Sequence, residues 1–361
     1  MNTKKLVLFA LVSMFAVAQQ PAGVRPAWAF PTPDKEQPPS TESTEPVHLP
    51  GSAKTYTPAQ IEDLANPPDW YPEEHGPLPQ VIAHGTPPNA LACGACHLQS
   101  GHGHPESADL AGLPAEYLAR QMQYFKSGVR KDPARMNAIA KAVSDADARQ
   151  AAEWFAAMKP SPWIKVVEAD TLPKSYVRTA GRLRLPHPSG GTEPLGNRIV
   201  ELPVNPETVT ARDPHNGFIA YVPKGSIAKG AALASSGIGK TVTCAVCHGE
   251  GLKGLGDVPR LAGLHPIYIV RQLSSFQTGA SAGSAAALMK RVVANLTEDD
   301  MIALAAYAAS LAPKYAAKLQ PACYRARFGG SSSRTSPCPH TPPHRTATEG
   351  SGRQSNPQEV S

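Results

Sequence analysis

The 361-residue chain has no long hydrophobic run. Its longest, residues 6–18, spans 13 positions, well short of the ~20 that a membrane-crossing helix needs. Nothing later is more apolar, so no transmembrane segment is expected in the processed chain. A dominant charge of one sign is also missing. Residues 1–29 carry +3 and residues 314–361 carry +5 of the formal +6, which leaves residues 30–313 at about −2. Nucleic-acid binding therefore gets no support. Aromatic residues are few, at 6%, too few by themselves to fill two cores. Cysteine is scarce too: there are six, and four of them fall in two short motifs. Proline and glycine are the exception. Together they make up 67 residues, which predicts long irregular connections.

The two motifs are Cys93, Cys96, His97 and Cys244, Cys247, His248, each a C-x-x-C-H arrangement of the kind that attaches c-type haem. Two thiols three positions apart, on a turn entering a helix, reach the two vinyl groups on one porphyrin edge. The adjacent histidine then points at the iron. Such a motif alone can also be a thiol redox pair or half a zinc site. Matched context disfavours both. An offset of 151 carries Leu110, Ala111 and Gly112 onto Leu261, Ala262 and Gly263. The same offset carries Tyr117 onto Tyr268, Arg120 and Gln121 onto Arg271 and Gln272, Phe125 onto Phe276, and Gly128 onto Gly279. A repeat of this length is a duplicated domain. Haem supplies much of the core in so small a domain, which answers the shortage of aromatics.

Residues 1–29 read as a secretory leader, with Lys4 and Lys5 before the apolar run and A-x-A cleavage sites ending at Ala18 and Ala29. No cysteine lies near either site, which argues against a lipid anchor. Haem attachment of this type also happens outside the bacterial cytoplasm, so a periplasmic location is expected. Residues 30–79 form a Pro-rich arm, its first part read as solvated, with a short helix capped by Thr57. Residues 80–159 form the first haem module, with helices expected over 115–127 and 148–158, the latter capped by Ser144. Residues 160–223 read as a strap with short strands at 164–167, 182–185, 198–202 and 218–222. Residues 224–313 form the second module, with helices at 226–235, 267–278 and 301–311. The tail, residues 314–361, reads as disordered, and Cys323 and Cys338 lie in it.

For the second axial ligand of each iron, position is the constraint. Met136 and Met289 each stand eight residues before the capping Ser144 or Thr297, in what reads as a loop. A thioether there completes His/Met ligation, the electron-transfer arrangement that raises the potential. A core methionine filling a gap is the plainer reading; the paired placement favours ligation. His102 and His104 lie too close to His97 to cross to the other porphyrin face. His265 has no counterpart in the first module and reads as a surface or loop residue. His97 and His248 should each donate a ring N–H to a backbone carbonyl, from Ala108 and Pro259 respectively.

Taken together, C-x-x-C-H, Leu-Ala-Gly, Tyr-x-x-Arg-Gln, Phe-x-x-Gly and a methionine before a Ser/Thr-capped helix resemble class I cytochromes c. The likeness is greatest to the di-haem cytochrome c4 and cytochrome c553 group. The resemblance implies a mainly α chain: two tandem cytochrome c domains joined by an irregular strap with short β-strands. It implies two covalently bound haem c groups, held through Cys93 and Cys96 and through Cys244 and Cys247. The irons are then ligated by His97 and Met136 and by His248 and Met289. Two features depart from the family: Leu98 follows His97 where glycine is usual, and the strap is extra. The expected function is electron transfer, with periplasmic or membrane dehydrogenases, oxidases or other cytochromes as partners. The rival is a di-haem peroxidase, which needs an open iron position and an acid/base group.

Overall fold

The computed structural model describes residues 23–38, 44–85, 90–132 and 134–313. Most of the leader, and the tail with its two cysteines, lie outside the described residues. In chain order the elements begin with β1 (Val47–His48), β2 (Thr55–Tyr56), α1 (Pro58–Glu62) and α2 (Gln80–Ala83). The first module continues with α3 (Gly94–His97), α4 (Ala115–Ser127), α5 (Met136–Ala142) and α6 (Asp145–Ala157). The strap holds β3 (Ile164–Glu168), β4 (Thr171–Pro173), β5 (Ser175–Val177), β6 (Arg184–Pro186), β7 (Thr192–Pro194), β8 (Val200–Pro203), α7 (Pro206–Thr210) and β9 (Phe218–Val222). The second module follows with α8 (Ser226–Ser236), α9 (Ala245–His248), α10 (Pro266–Gln277), α11 (Ala286–Val293) and α12 (Glu298–Ser310).

Local chemistry explains the helices. Thr57 and Gln60 form a capping box at α1, and Thr297 and Asp300 form another at α12. Ser144 accepts the Asp147 N–H at the start of α6. Gly128 and Gly279, both at φ 76°, follow α4 and α10 in the left-handed conformation that lets the chain turn away. In the second module α8 lies flat on α12: a Cβ on Gly230 would sit 2.0 Å from the Ala303 carbonyl oxygen. Only glycine permits that approach.

The strap is built from distant pairings. β3 runs parallel to β9, and β8 pairs antiparallel with β9, giving the order β3-β9-β8. β4 pairs with β7 and β5 with β6. The described part of residues 30–55 is not the solvated segment that its composition suggests, since Leu49 is buried there, whereas Trp70 and Tyr71 pack as expected. β1 pairs with β2, and Leu49, Ile61, Trp70 and Tyr71 bury a small core against Ala211 of the strap. Trp70 is 1% exposed and donates its indole N–H to the Ala211 carbonyl. Composition underestimated this segment because its few apolar side chains find their partner about 140 residues away.

The modules meet about a pseudo-two-fold axis, so that positions 151 apart face one another. Residues 129–131 and 280–282 exchange backbone hydrogen bonds, Lys131 N–H to Ala280 and Ala282 N–H to Val129. Arg260 donates to Asp109 at 2.8 Å. Arg120 reaches Asp257 at 3.7 Å, and its equivalent Arg271 reaches Glu106 at 3.0 Å. On the same axis Arg130, 8% exposed, bonds Gln121, Tyr268 and Gln272. The repeated Tyr-x-x-Arg-Gln motif is thus interface as much as module core.

Candidate functional site

Each C-x-x-C-H run forms one turn of helix hung from the preceding segment. Cys93 N–H donates to Val81 in α2, and Cys244 N–H donates to Ala234 in α8. His97 N–H and His248 N–H close the turn onto Cys93 and Cys244. No disulfide joins the four cysteines of the motifs. Burial pushes Cys93 up to about 12 and raises Cys96 and Cys244 as well. A thiol redox catalyst needs the opposite shift, toward thiolate. Among the described residues no group of three or more His, Cys, Asp or Glu side chains is placed to hold a metal ion.

The histidines are oriented alike. His97 Nδ1 lies 2.8 Å from the Ala108 carbonyl, and His248 Nδ1 lies 2.8 Å from the Pro259 carbonyl. A carbonyl only accepts, so Nδ1 carries the proton in both rings and Nε2 keeps its lone pair. Burial lowers both imidazoles, which keeps them neutral. These are the two carbonyls expected from the spacing. Cys93 and Met136 pack against one core cluster, together with Leu118 and Phe155; Cys244 and Met289 pack against the other, together with Val270 and Met301. Each module therefore packs one cysteine and one methionine on its core and leaves the Nε2 of its motif histidine unprotonated, a donor set whose chemistry suits haem c. The Leu-Ala-Gly turns complete the frame, since Gly112 and Gly263 N–H groups donate to Phe155 in α6 and Ala308 in α12.

Three sequence expectations need correction. Met136 opens α5 and Met289 lies inside α11, so neither is in a loop. Ala and Leu around Met289 simply continue a helix whose start carries no capping signal. His265 is not a surface residue: it is fully buried, and its Nδ1–H donates to Glu201 Oε2 at 2.5 Å. Glu201, from β8, also accepts the Ile267 N–H at 3.0 Å and so caps α10 from the strap. No local sequence signal joins residues 64 positions apart. Of the discounted histidines, His102 bonds Ser161 Oγ at 2.7 Å beside Trp163. His104 bonds Ser107 at 3.2 Å, and burial pushes it down to about 3.

The departure at Leu98 has a structural reason. It holds φ 59°, where its equivalent Gly249 holds 75°. Leu98 is buried with Trp163, Leu183, Leu185 and Phe218 of the strap, which offsets the ~1–3 kcal/mol of backbone strain.

A family model described as cytochrome c matches residues 227–312. A thiosulfate dehydrogenase electron acceptor of Thiomonas intermedia (strain K12) is 28% identical over 227 residues, covering 62% of this chain and 80% of its own. Cytochrome c4 of Azotobacter vinelandii is 25% identical over 231 residues, 60% of this chain and 83% of its own. Cytochrome c-554(547) of Halothiobacillus neapolitanus is 39% identical over 84 residues, 20% of this chain and 92% of its own.

Proposed function

This chain belongs to the class I c-type cytochromes, electron-transfer proteins rather than enzymes, and on that premise we propose that it is an exported di-haem carrier passing electrons between redox partner proteins. Haem c supplies a one-electron iron couple whose potential rises with a thioether ligand. Cys93 and Cys96 hold one haem, and Cys244 and Cys247 the other. His97 and Met136 would ligate one iron, and His248 and Met289 the other. The Ala108 and Pro259 carbonyls fix the histidine tautomers. The matched Nδ1–carbonyl bonds, with cysteine and methionine gathered on one core in both modules, carry this reading.

The donor side is a dehydrogenase; the likeness to thiosulfate dehydrogenase electron acceptors supports a sulfur-oxidising one. Periplasmic export follows from the leader. Cleavage after Ala18 rather than Ala29 suits the fold, because residues 23–30 pack on the second module. Ser274 Oγ donates to Val24, Trp28 donates to Glu298, and Ala29 is buried in the second core. Pyridine-haem counting should find two covalent haems. The oxidised protein should show the Met-to-iron charge-transfer band, with Met136→Ala and Met289→Ala each removing about half. A band unchanged by both substitutions would end the ligand assignment.

A further inference from the structure

Arg212 of the strap stands at φ 61°, a left-handed conformation that strains a residue carrying a Cβ. Its side chain is 16% exposed and reaches the first attachment turn. Nη1 donates to the carbonyl of Ala95, which lies between Cys93 and Cys96, and Nε donates to the Ile61 carbonyl at 2.7 Å. Strain of this kind persists where the surroundings enforce it, and it gathers at functional positions.

The charge that Arg212 brings is not cancelled where it sits. Glu62 Oε2 lies 3.9 Å from Nη2, outside hydrogen-bond reach, and the same half-exposed carboxylate also faces Arg178 at 3.7 Å. One acid therefore stands against two guanidinium groups. Asp213, the next residue, gives its Oδ1 to the His215 N–H. His104 lines the same cavity as Arg212, but burial pushes it down to about 3, so it is neutral at ordinary pH. Arg135 adds a further cation from the module side. Cys96 registers the excess: burial raises its thiol, and Arg212 first, then Arg135, draw it back.

The second attachment turn has nothing similar. Val246, which stands where Ala95 does, is 71% exposed, whereas Ala95 is fully buried. The strap lies outside the repeat, so Arg212 has no equivalent there. A charge in a partly buried setting acts at an effective dielectric of about 20 against about 80 in water, several times more strongly. We infer that Arg212 raises the reduction potential of the first haem and so biases an electron shared by the two modules toward the first. This rests on the di-haem carrier reading. Ferric iron is one charge more positive than ferrous iron. A fixed cation beside the haem therefore disfavours the oxidised form and favours uptake of the electron that a reduced partner delivers.

Spectroelectrochemical titration of the full-length haem-loaded protein tests this, the first haem being the step that Met289→Ala leaves in place. Arg212→Gln should lower that step, changing the ratio of reduced to oxidised haem at a fixed potential about tenfold, or 59 mV for a one-electron couple. Glu62→Gln removes the opposing carboxylate and no hydrogen bond among the described residues. It should raise the same step, by about twofold in that ratio, because water screens a half-exposed charge. A clamp that only holds the strap in place gives no such pair of opposite shifts. An unmoved first step in Glu62→Gln overturns the assignment, even where Arg212→Gln does not fold. So does a shift of both haems by equal amounts. Two reversible steps that neither substitution moves leave the carrier reading standing, whereas absence of any reversible step sinks that reading, so the two failures are distinct.

Discussion

Replacing Arg260 by methionine removes a buried cation from the centre of the contact between modules. The guanidinium is 3% exposed. It donates to Asp109 Oδ1 at 2.8 Å, to the Ala262 carbonyl at 2.8 Å, and to the Ala111 carbonyl at 3.0 and 3.3 Å. Asp109 is 1% exposed, and its Oδ2 has no partner among the described residues. Without Arg260 its carboxylate keeps only the Ala111 N–H at 3.0 Å. Breaking a buried pair on one side costs about 3–5 kcal/mol, because the surviving charge is stranded. That is a large share of the ~5–15 kcal/mol of a typical domain. Urea unfolding of the haem-loaded protein, followed by tryptophan fluorescence and Soret absorbance, measures it. Asp109→Leu/Arg260→Met removes both charges and should be more stable than Arg260→Met alone. A single variant within about 1 kcal/mol of the parent, or a double variant worse than the single, refutes the reasoning.

Glu201→Ala strands His265 and the Ile267 N–H, and should cost about 2–4 kcal/mol with faster amide exchange at Ile267; unchanged exchange there removes the cap from the argument. Burial alone would raise the Asp300 carboxyl, but hydrogen bonds from Lys240, Thr297 and Lys229 hold it well below the usual carboxylate range. A depressed native pKa stabilises above the unfolded value of ~3.9 and that contribution fades as pH falls below it. Asp300→Asn should therefore lose about 1–3 kcal/mol at neutral pH, and the gap should narrow in acid; a constant gap contradicts the linkage. Gly230→Ala places a Cβ against the Ala303 carbonyl and should destabilise the second module by at least ~1–3 kcal/mol, seen as a lowered melting temperature; a neutral result means that α8 can shift away.

What could be read from the chain was whatever is local. The bounds of α4 came from apolar spacing between Ala115 and Gly128, and the caps of α6 and α12 from Ser144 and Thr297, although both helices start three residues before the expected 148 and 301, because caps and periodicity are written within one or two turns. The histidine–carbonyl bonds followed from an eleven-residue loop common to both modules. What stayed hidden depends on distant partners. β4, β5 and β7 have three residues each and no alternation to betray them. His265 looked dispensable because Glu201, which makes it structural, lies in a segment without a repeat. Leu98 looked like a flaw in the motif until the strap residues covering it were known.

The repeat itself explains why the two modules are not identical. On a two-fold axis each residue meets its own equivalent, so a charged residue there meets its own charge. Exact duplication would set Asp109 against aspartate and Arg130 against arginine, at buried positions. At those positions the halves have diverged: Asp109 faces Arg260, and Arg130 bridges to Ser281. Off the axis a pair occurs twice and needs no divergence. There both arginines are kept, Arg120 toward Asp257 and Arg271 toward Glu106. Sequence identity within the repeat is thus retained where symmetry allows it and lost where symmetry forbids it. The product is an interface, built on Asp109–Arg260 and the 129–131/280–282 backbone bonds, that neither half can make with a copy of itself. The strap reinforces this, with Leu98 and Arg212 contacts on one module and Glu201 on the other.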